Sequence, residues 1–297
     1  MLIQFDEFRP LPTISAEIQT QPNPESVSDL YLDLLKRSLT RALIATSFDR
    51  HHLDATKPWK KKVVQCFQNL LAGRNVELVR LRKSEALDYT ESGHETQNRM
   101  EDAETMLGLK QLDNMQYCVS EVLRNRIPGD LLEAGVWRGG MTIFMRGLLK
   151  ANEENDRRVW VVDSFEGLPA IDQNRESFDW HAGDMAVSLE EVQSNFARYG
   201  LLDKQVVFLK GYFNKTLGNS PIRELAILRI DADLYQSTMD ALIPLYPKLS
   251  PGGFAIFDDY SNLPDCQRAI HDYRDANGIT EEICKIDQRA VYWKKMK

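Results

Sequence analysis

The chain has no apolar run long enough to cross a bilayer, and its first residues, MLIQFDEFRP, carry Asp6 and Glu7 where a signal peptide needs unbroken apolar character. Those absences set the expectation of a soluble, cytoplasmic protein without a membrane partner. Cysteine is scarce: Cys66, Cys118, Cys266 and Cys284 stand far apart without C-x-x-C spacing, so reduced, mostly buried thiols are expected. Positive charge is in deficit, with a formal net charge of −7, which argues against nucleic-acid backbones and anionic membranes as the main partner. There is no internal repeat and no low-complexity tract. What remains is an ordinary globular composition, 43% hydrophobic and 27% charged over 297 residues, enough for one large core or two modest ones.

The dinucleotide fingerprint G-x-G-x-x-G is also missing from the stretch that organises the chain. Residues 131–140 read LLEAGVWRGG, a buried strand ending in a carboxylate and breaking into a glycine turn, and residues 141–150 are apolar at helical spacing. Gly135, Gly139 and Gly140 remove the Cβ atoms that would keep a ligand from the backbone. Glu133 occupies the place of the first dinucleotide glycine. A pyrophosphate there would meet a carboxylate, whereas a ligand with a cationic amino group would be attracted, which favours S-adenosylmethionine over NAD. An NAD-dependent oxidoreductase on the same fold is the rival reading.

Residues 1–28 are rich in Pro, Ser, Thr and Gln and read as an arm. Leu32, Leu35, Leu39 and Leu43 then lie on one face of a helix capped near Ser28 or Asp29, and that stripe calls for a partner, so a homo-oligomer is expected. Residues 63–71 repeat the pattern, and residues 84–105 are polar and acidic, as befits a lid. A helix over 107–123 precedes Pro128-Gly129. After that, strands are predicted at 131–134, 159–163, 206–209, 225–230 and 254–257, with helices at 140–150, 188–199, 236–249 and 265–276. Two final strands, 281–286 and 290–294, form an antiparallel edge hairpin. The fold class is therefore α/β, a doubly wound, mostly parallel seven-stranded sheet with an N-terminal helical extension.

In such a sheet ligands sit at the carboxyl ends of the strands. The strand ends here carry Glu133, Asp163-Ser164, Asp231-Ala232-Asp233 and Asp258-Asp259. Asp163 is placed to hydrogen-bond a ribose. If the fourth and fifth strands are neighbours about 4.8 Å apart, Asp231, Asp258 and Asp259 crowd one another, and two charges about 4 Å apart repel by roughly 4 kcal/mol at a dielectric near 20. Shared protons, Arg229 and Arg268 as counter-ions, or a divalent cation could offset this. Three carboxylates with no Cys or His cluster favour magnesium over zinc. Asp233, two residues past Asp231, projects to the same side and suits a general base, with His181 as an alternative. Asp184, Tyr212 and Tyr260 fall at the expected rim of the cleft.

The segments DLYLDLLKRSLTRAL, AETMLGLKQLDNMQ, GDLLEAGVWRGGMTIFMR, VWVVDSFEGLP, ILRIDADLYQST and LSPGGFAIFDDY together resemble the macrocin O-methyltransferase family, from about Asp29 to the C-terminus. The resemblance implies a class I, Rossmann-like methyltransferase domain over 128–297, preceded by a helical extension and lid over 29–127. It implies S-adenosylmethionine- and Mg2+-dependent methylation of a sugar hydroxyl on a glycosylated or polyhydroxy small molecule; a catechol-like acceptor would also suit the cation. By position, the metal aspartates are Asp231, Asp258 and Asp259 and the base is Asp233. The cofactor set is Thr105, Met106, Glu133, Gly135, Trp137, Gly139, Asp163, Ser164, Tyr212 and Asp231. Thr105-Met106 folds over the cofactor.

Overall fold

The computed structural model describes residues 26–43, 46–49, 80–83, 103–171 and 180–297. Residues 1–25 of the arm expected over 1–28, the apolar repeat over 63–71 and most of the expected lid lie outside them, and the last residues of that arm, 26–28, instead open the first helix. Strands β3 (Asp130–Ala134), β4 (Val159–Asp163), β5 (Val206–Lys210), β6 (Leu225–Ile230), β7 (Leu249–Phe257), β8 (Cys284–Lys285) and β9 (Val291–Lys294) form one seven-stranded sheet in the order β5-β4-β3-β6-β7-β9-β8. The first five are parallel, and β9 runs antiparallel to both β7 and β8. Strand order reverses between β3 and β6, where a crevice must open. Two shorter strands, β1 (Thr46–Asp49) and β2 (Arg80–Lys83), make a separate antiparallel ribbon inside the segment expected to be helical.

Period-two alternation sends successive side chains to opposite faces, and both faces are covered. Leu131, Val161, Ile227 and Ile256 pack into one core with helices Val27–Leu39, Leu109–Arg124, Gly140–Ala151 and Leu189–Arg198. Leu132, Val162, Leu228 and Phe257 pack into the other with helices Tyr235–Leu245 and Pro264–Asn277. Among the described residues no helix is long and apolar enough to cross a membrane.

The first helix begins two to three residues earlier than expected, because the cap is Ser26, whose hydroxyl accepts from the Asp29 amide at 3.1 Å. Its stripe of Leu32, Leu35 and Leu39 is buried against helix Gly140–Ala151 of the same chain, with Leu35 filling the space over Gly147. The stripe that motivated an oligomer is thus satisfied internally. Leu43 falls beyond the helix and is 54% exposed. The final hairpin is shorter than expected, with β8 reduced to two residues.

Candidate active site

A cavity of about 460 Å³ opens at the carboxyl ends of β3, β4 and β6, within the range of about 300–1,000 Å³ usual for small-molecule sites. Thr105, Met106, Glu133, Gly135, Trp137, Asp163, Ser164, Tyr212, Asp231, Asp233 and Asp258 all line it. Gly139 and Asp259 do not. Gly139 caps helix Gly140–Ala151 at φ +85°, and a Cβ there would meet Val192 at 2.8 Å, so this glycine serves helix packing. Gly135 lines the cavity, yet the space it frees is taken by protein: a Cβ would lie 1.7 Å from the Asp231 carbonyl oxygen. The glycines let β3 approach β6 and let residues 104–105 settle on Gly140, whose amide donates to the Glu104 carbonyl at 3.0 Å.

The segment carrying Thr105 and Met106 is fastened by Glu104. That buried carboxylate accepts from Arg41 and from the Tyr199 hydroxyl, each at 2.9 Å. On the opposite wall, Asp163 accepts from the Val136 amide and the Phe165 amide, each at 2.8 Å. It therefore braces the glycine turn from the end of β4, and burial raises its pKa despite those donors. Trp137, Phe165 and Asp233 take positive φ values of 46°, 56° and 57°, a conformation side chains avoid unless the surroundings enforce it.

The acidic end is organised by two arginines. Arg229, fully buried near the carboxyl end of β6, donates to Glu133 on β3, to Asp231 at 2.9 Å and to Asp258 at 2.7 Å. Gln111 accepts from it at 3.2 Å. Arg289, just before β9, reaches Asp258 at 3.3 Å and also pairs with Asp259. Burial works against the charge of both arginines, yet the carboxylates around them outweigh it and hold the charge more firmly than usual. Arg268, the other counter-ion considered from sequence, instead pairs with Asp265 at 3.0 Å and stacks on Tyr235. The neighbouring of Asp231 and Asp258 follows from register, since Ile230 pairs with Phe257.

Single oxygens of Asp231, Asp233 and Asp259 lie within 4.8 Å of one another. Asp258, one of the three expected metal ligands, is not in that group, and each of its oxygens accepts from an arginine. Burial, then neighbouring carboxylates, pushes both Asp233 and Asp259 up to about 7 and raises Asp231 well above the usual carboxylate range. Asp259 Oδ2 is buried and, among the described residues, has no donor; this orphan oxygen beside all-oxygen ligands fits a hard divalent cation. Glu133 Oε2 is likewise buried without a donor, and burial pushes Glu133 up to about 8. An unmet acceptor on the wall of the cavity fits the cofactor's amino group.

His181 and Asp184 sit outside the cavity, the His181 side chain 70% exposed, and Tyr260 hydrogen-bonds His271 at 2.7 Å. None of the three belongs to the site. Arg289 was not singled out from the sequence. A basic residue two positions before a strand that pairs with one ending in Asp-Asp is a readable signal only once that antiparallel pairing is known.

The chain matches the family described as Macrocin-O-methyltransferase (TylF) over residues 28–295. Mycinamicin III 3''-O-methyltransferase of Micromonospora griseorubida is 43% identical over 283 residues, covering 92% of this chain and 99% of the relative. 8-Demethyl-8-(2,3-dimethoxy-alpha-L-rhamnosyl)-tetracenomycin-C 4'-O-methyltransferase of Streptomyces olivaceus is 53% identical over 198 residues, covering 65% of this chain and 76% of the relative. The solved structure of the O-methyltransferase NovP superposes with a TM-score of 0.72 at 39% identity, covering 91% of this chain and 100% of that one. The chain is thus an S-adenosylmethionine-dependent O-methyltransferase and belongs to the macrocin O-methyltransferase family.

Proposed function

We propose that this enzyme methylates a hydroxyl on the sugar of a glycosylated natural product, with a divalent cation, Mg2+, held by Asp231, Asp258 and Asp259. The observation that carries the reading is the meeting of Asp231, Asp233 and Asp259 oxygens at the tips of adjacent strands, with Asp231, Asp233 and Asp258 on the wall of the same cavity as Glu133 and Asp163. A relative whose name includes a rhamnosyl group supports the sugar acceptor.

S-adenosylmethionine supplies a methyl group on a sulfonium that is already a good leaving group, and a divalent cation would supply charge that makes an acceptor hydroxyl more acidic. The chain's own residues then do the rest. Glu133 Oε2 receives the cofactor's amino group, and Asp163 holds its ribose while bracing the turn beneath it. Thr105 and Met106 cover the cofactor and exclude water, with Glu104 keeping them down. Asp233, with its pKa pushed to about 7, takes the acceptor proton at a carboxylate oxygen near neutral pH. Leu168, Pro169, Trp180, Met185 and Phe213 give the acceptor an apolar wall.

Residues 29–127 are proposed as an extension that closes the pocket and 128–297 as the catalytic domain. Self-association is assigned to the outward face of the first helix, where Val27, Leu30 and Leu34 are exposed. Free thiols at Cys118 and Cys266 suit a reducing cytoplasm. The test is transfer of labelled methyl to glycosylated, aglycone and phenolic acceptors, with and without chelator. Transfer to phenols but not to sugars would overturn the acceptor class, and undiminished transfer in chelator would overturn the cation.

A further inference from the structure

We infer that Arg289 is a placeholder for the divalent cation: its guanidinium stands between Asp258 and Asp259 and leaves them when an ion binds, so Arg289 sets the affinity of the site. The inference rests on the cation reading above and goes beyond it by naming what guards the ligands.

The geometry of the pairing carries the argument. Arg289 Nη2 alone makes the contacts, 3.3 Å to Asp258 Oδ2 and a hydrogen bond to Asp259 Oδ1. Arg289 Nε is buried with no acceptor among the described residues, and Asp259 Oδ2 is buried with no donor. An ion pair settled on its own account uses the planar fork against both carboxylate oxygens. Arg146 does so in this same molecule, where Nε reaches the two oxygens of Asp203 at 3.0 and 3.1 Å and Nη2 reaches one at 2.6 Å. The Arg289 pairing is single-pronged instead: one nitrogen serves two carboxylates, and Asp259 Oδ2 is left with no donor among the described residues.

The backbone beneath Arg289 is fixed, so displacement falls to the side chain alone. Asp287 Oδ1 accepts from the amides of Arg289 at 2.9 Å and Ala290 at 2.7 Å, and its other oxygen accepts from Gln111 at 3.0 Å. When the guanidinium withdraws, one oxygen of Asp258 and one of Asp259 are released toward Asp231. Arg229 keeps the second oxygen of Asp258 and holds that carboxylate in place. Five carboxyl groups, Glu133 and the four aspartates, face two guanidiniums here, so oxygen ligands outnumber the cationic groups that could occupy them.

The experiment titrates Mg2+ calorimetrically into chelator-stripped full-length protein, wild type, Arg289→Met and Arg289→Lys. Removing one competing charge a few ångströms from the ion is expected to tighten binding by about tenfold or more in Arg289→Met, with Arg289→Lys in between. In the wild type, the Arg289 Nε–H resonance, identified by its absence from Arg289→Lys, is expected to move on saturation with Mg2+. Equal or weaker Mg2+ affinity in Arg289→Met, or a resonance indifferent to saturating ion, overturns the inference. If Arg289→Met does not fold, the wild-type resonance decides. Failure of wild type and variants alike to take up Mg2+ or Mn2+ would instead remove the cation reading itself.

Discussion

Arg229 and Glu133 form an ion pair across the boundary between β6 and β3, where the strand order reverses, with side chains only 1% and 3% exposed. The guanidinium that holds Glu133 also holds Asp231 and Asp258, so carboxylates assigned to the cofactor and to the cation share one counter-ion.

Arg229→Met leaves three carboxylates in a buried setting without their common partner. Removing one member of a buried pair costs about 3–5 kcal/mol, and that loss is expected in denaturant unfolding of the variant. Glu133→Gln, which keeps the shape, should cost less stability and act mainly on cofactor affinity, read by calorimetry. Wild-type unfolding in Arg229→Met would show that Arg229 does not hold the site together.

Asp233→Asn keeps the volume of the side chain but cannot accept a proton. Turnover is expected to fall by about 10²- to 10⁴-fold, while cofactor affinity stays within about twofold, since Asp233 is not among the cofactor set. Turnover at the wild-type rate would remove Asp233 as the base.

The acidic cluster predicts an opposing pH dependence of ion-free stability. Asp233 and Asp259 are each pushed up to about 7, whereas an unfolded aspartate titrates near 4. Between about pH 4 and 7 the folded chain binds more protons than the unfolded one, so these groups lower stability as pH rises through that window. A cation on the cluster offsets the penalty. The gap between unfolding midpoints in Mg2+ and in chelator should widen from pH 5 to pH 8; a gap that narrows would contradict the assignment.

Gly135→Ala tests the packing role of the turn. A Cβ at Gly135 would lie 1.7 Å from the Asp231 carbonyl oxygen, and the residue sits at φ +86°, so strand ends and site must separate. Loss of soluble folded protein is expected. Gly218→Ala meets nothing within 4 Å and should behave as wild type. A soluble, active Gly135→Ala would show that the turn tolerates a wider spacing.

Much of the architecture was legible because its signals are local. The strands Val159–Asp163 and Leu225–Ile230 appear where apolar runs predict them, and helix Gly140–Ala151 follows its glycine turn as expected. Helix Tyr235–Leu245 stops earlier than its apolar pattern does, and residues 246–248 tighten into a 3₁₀ turn with Pro247 inside it, a residue with no amide to continue the ladder. The first helix's stripe was read correctly as needing a partner. Its partner was in the same chain, which spacing along one helix cannot reveal.

By itself, the sequence determined the order along the chain of the strands in the main sheet, the carboxylates at the tips of β3, β4, β6 and β7 and the kinship of the chain, because periodicity, turn residues and motif order are written along the backbone. Tertiary structure alone decided who partners whom. Pairing of β9 with β7 carries Arg289 to Asp258 and Asp259, the close approach of β3 and β6 consumes the room left by Gly135, and Arg229 joins carboxylates from three strands. The reason is range: a charged side chain acts over a few ångströms of space, and residues that far apart in the chain become neighbours only when the sheet is assembled.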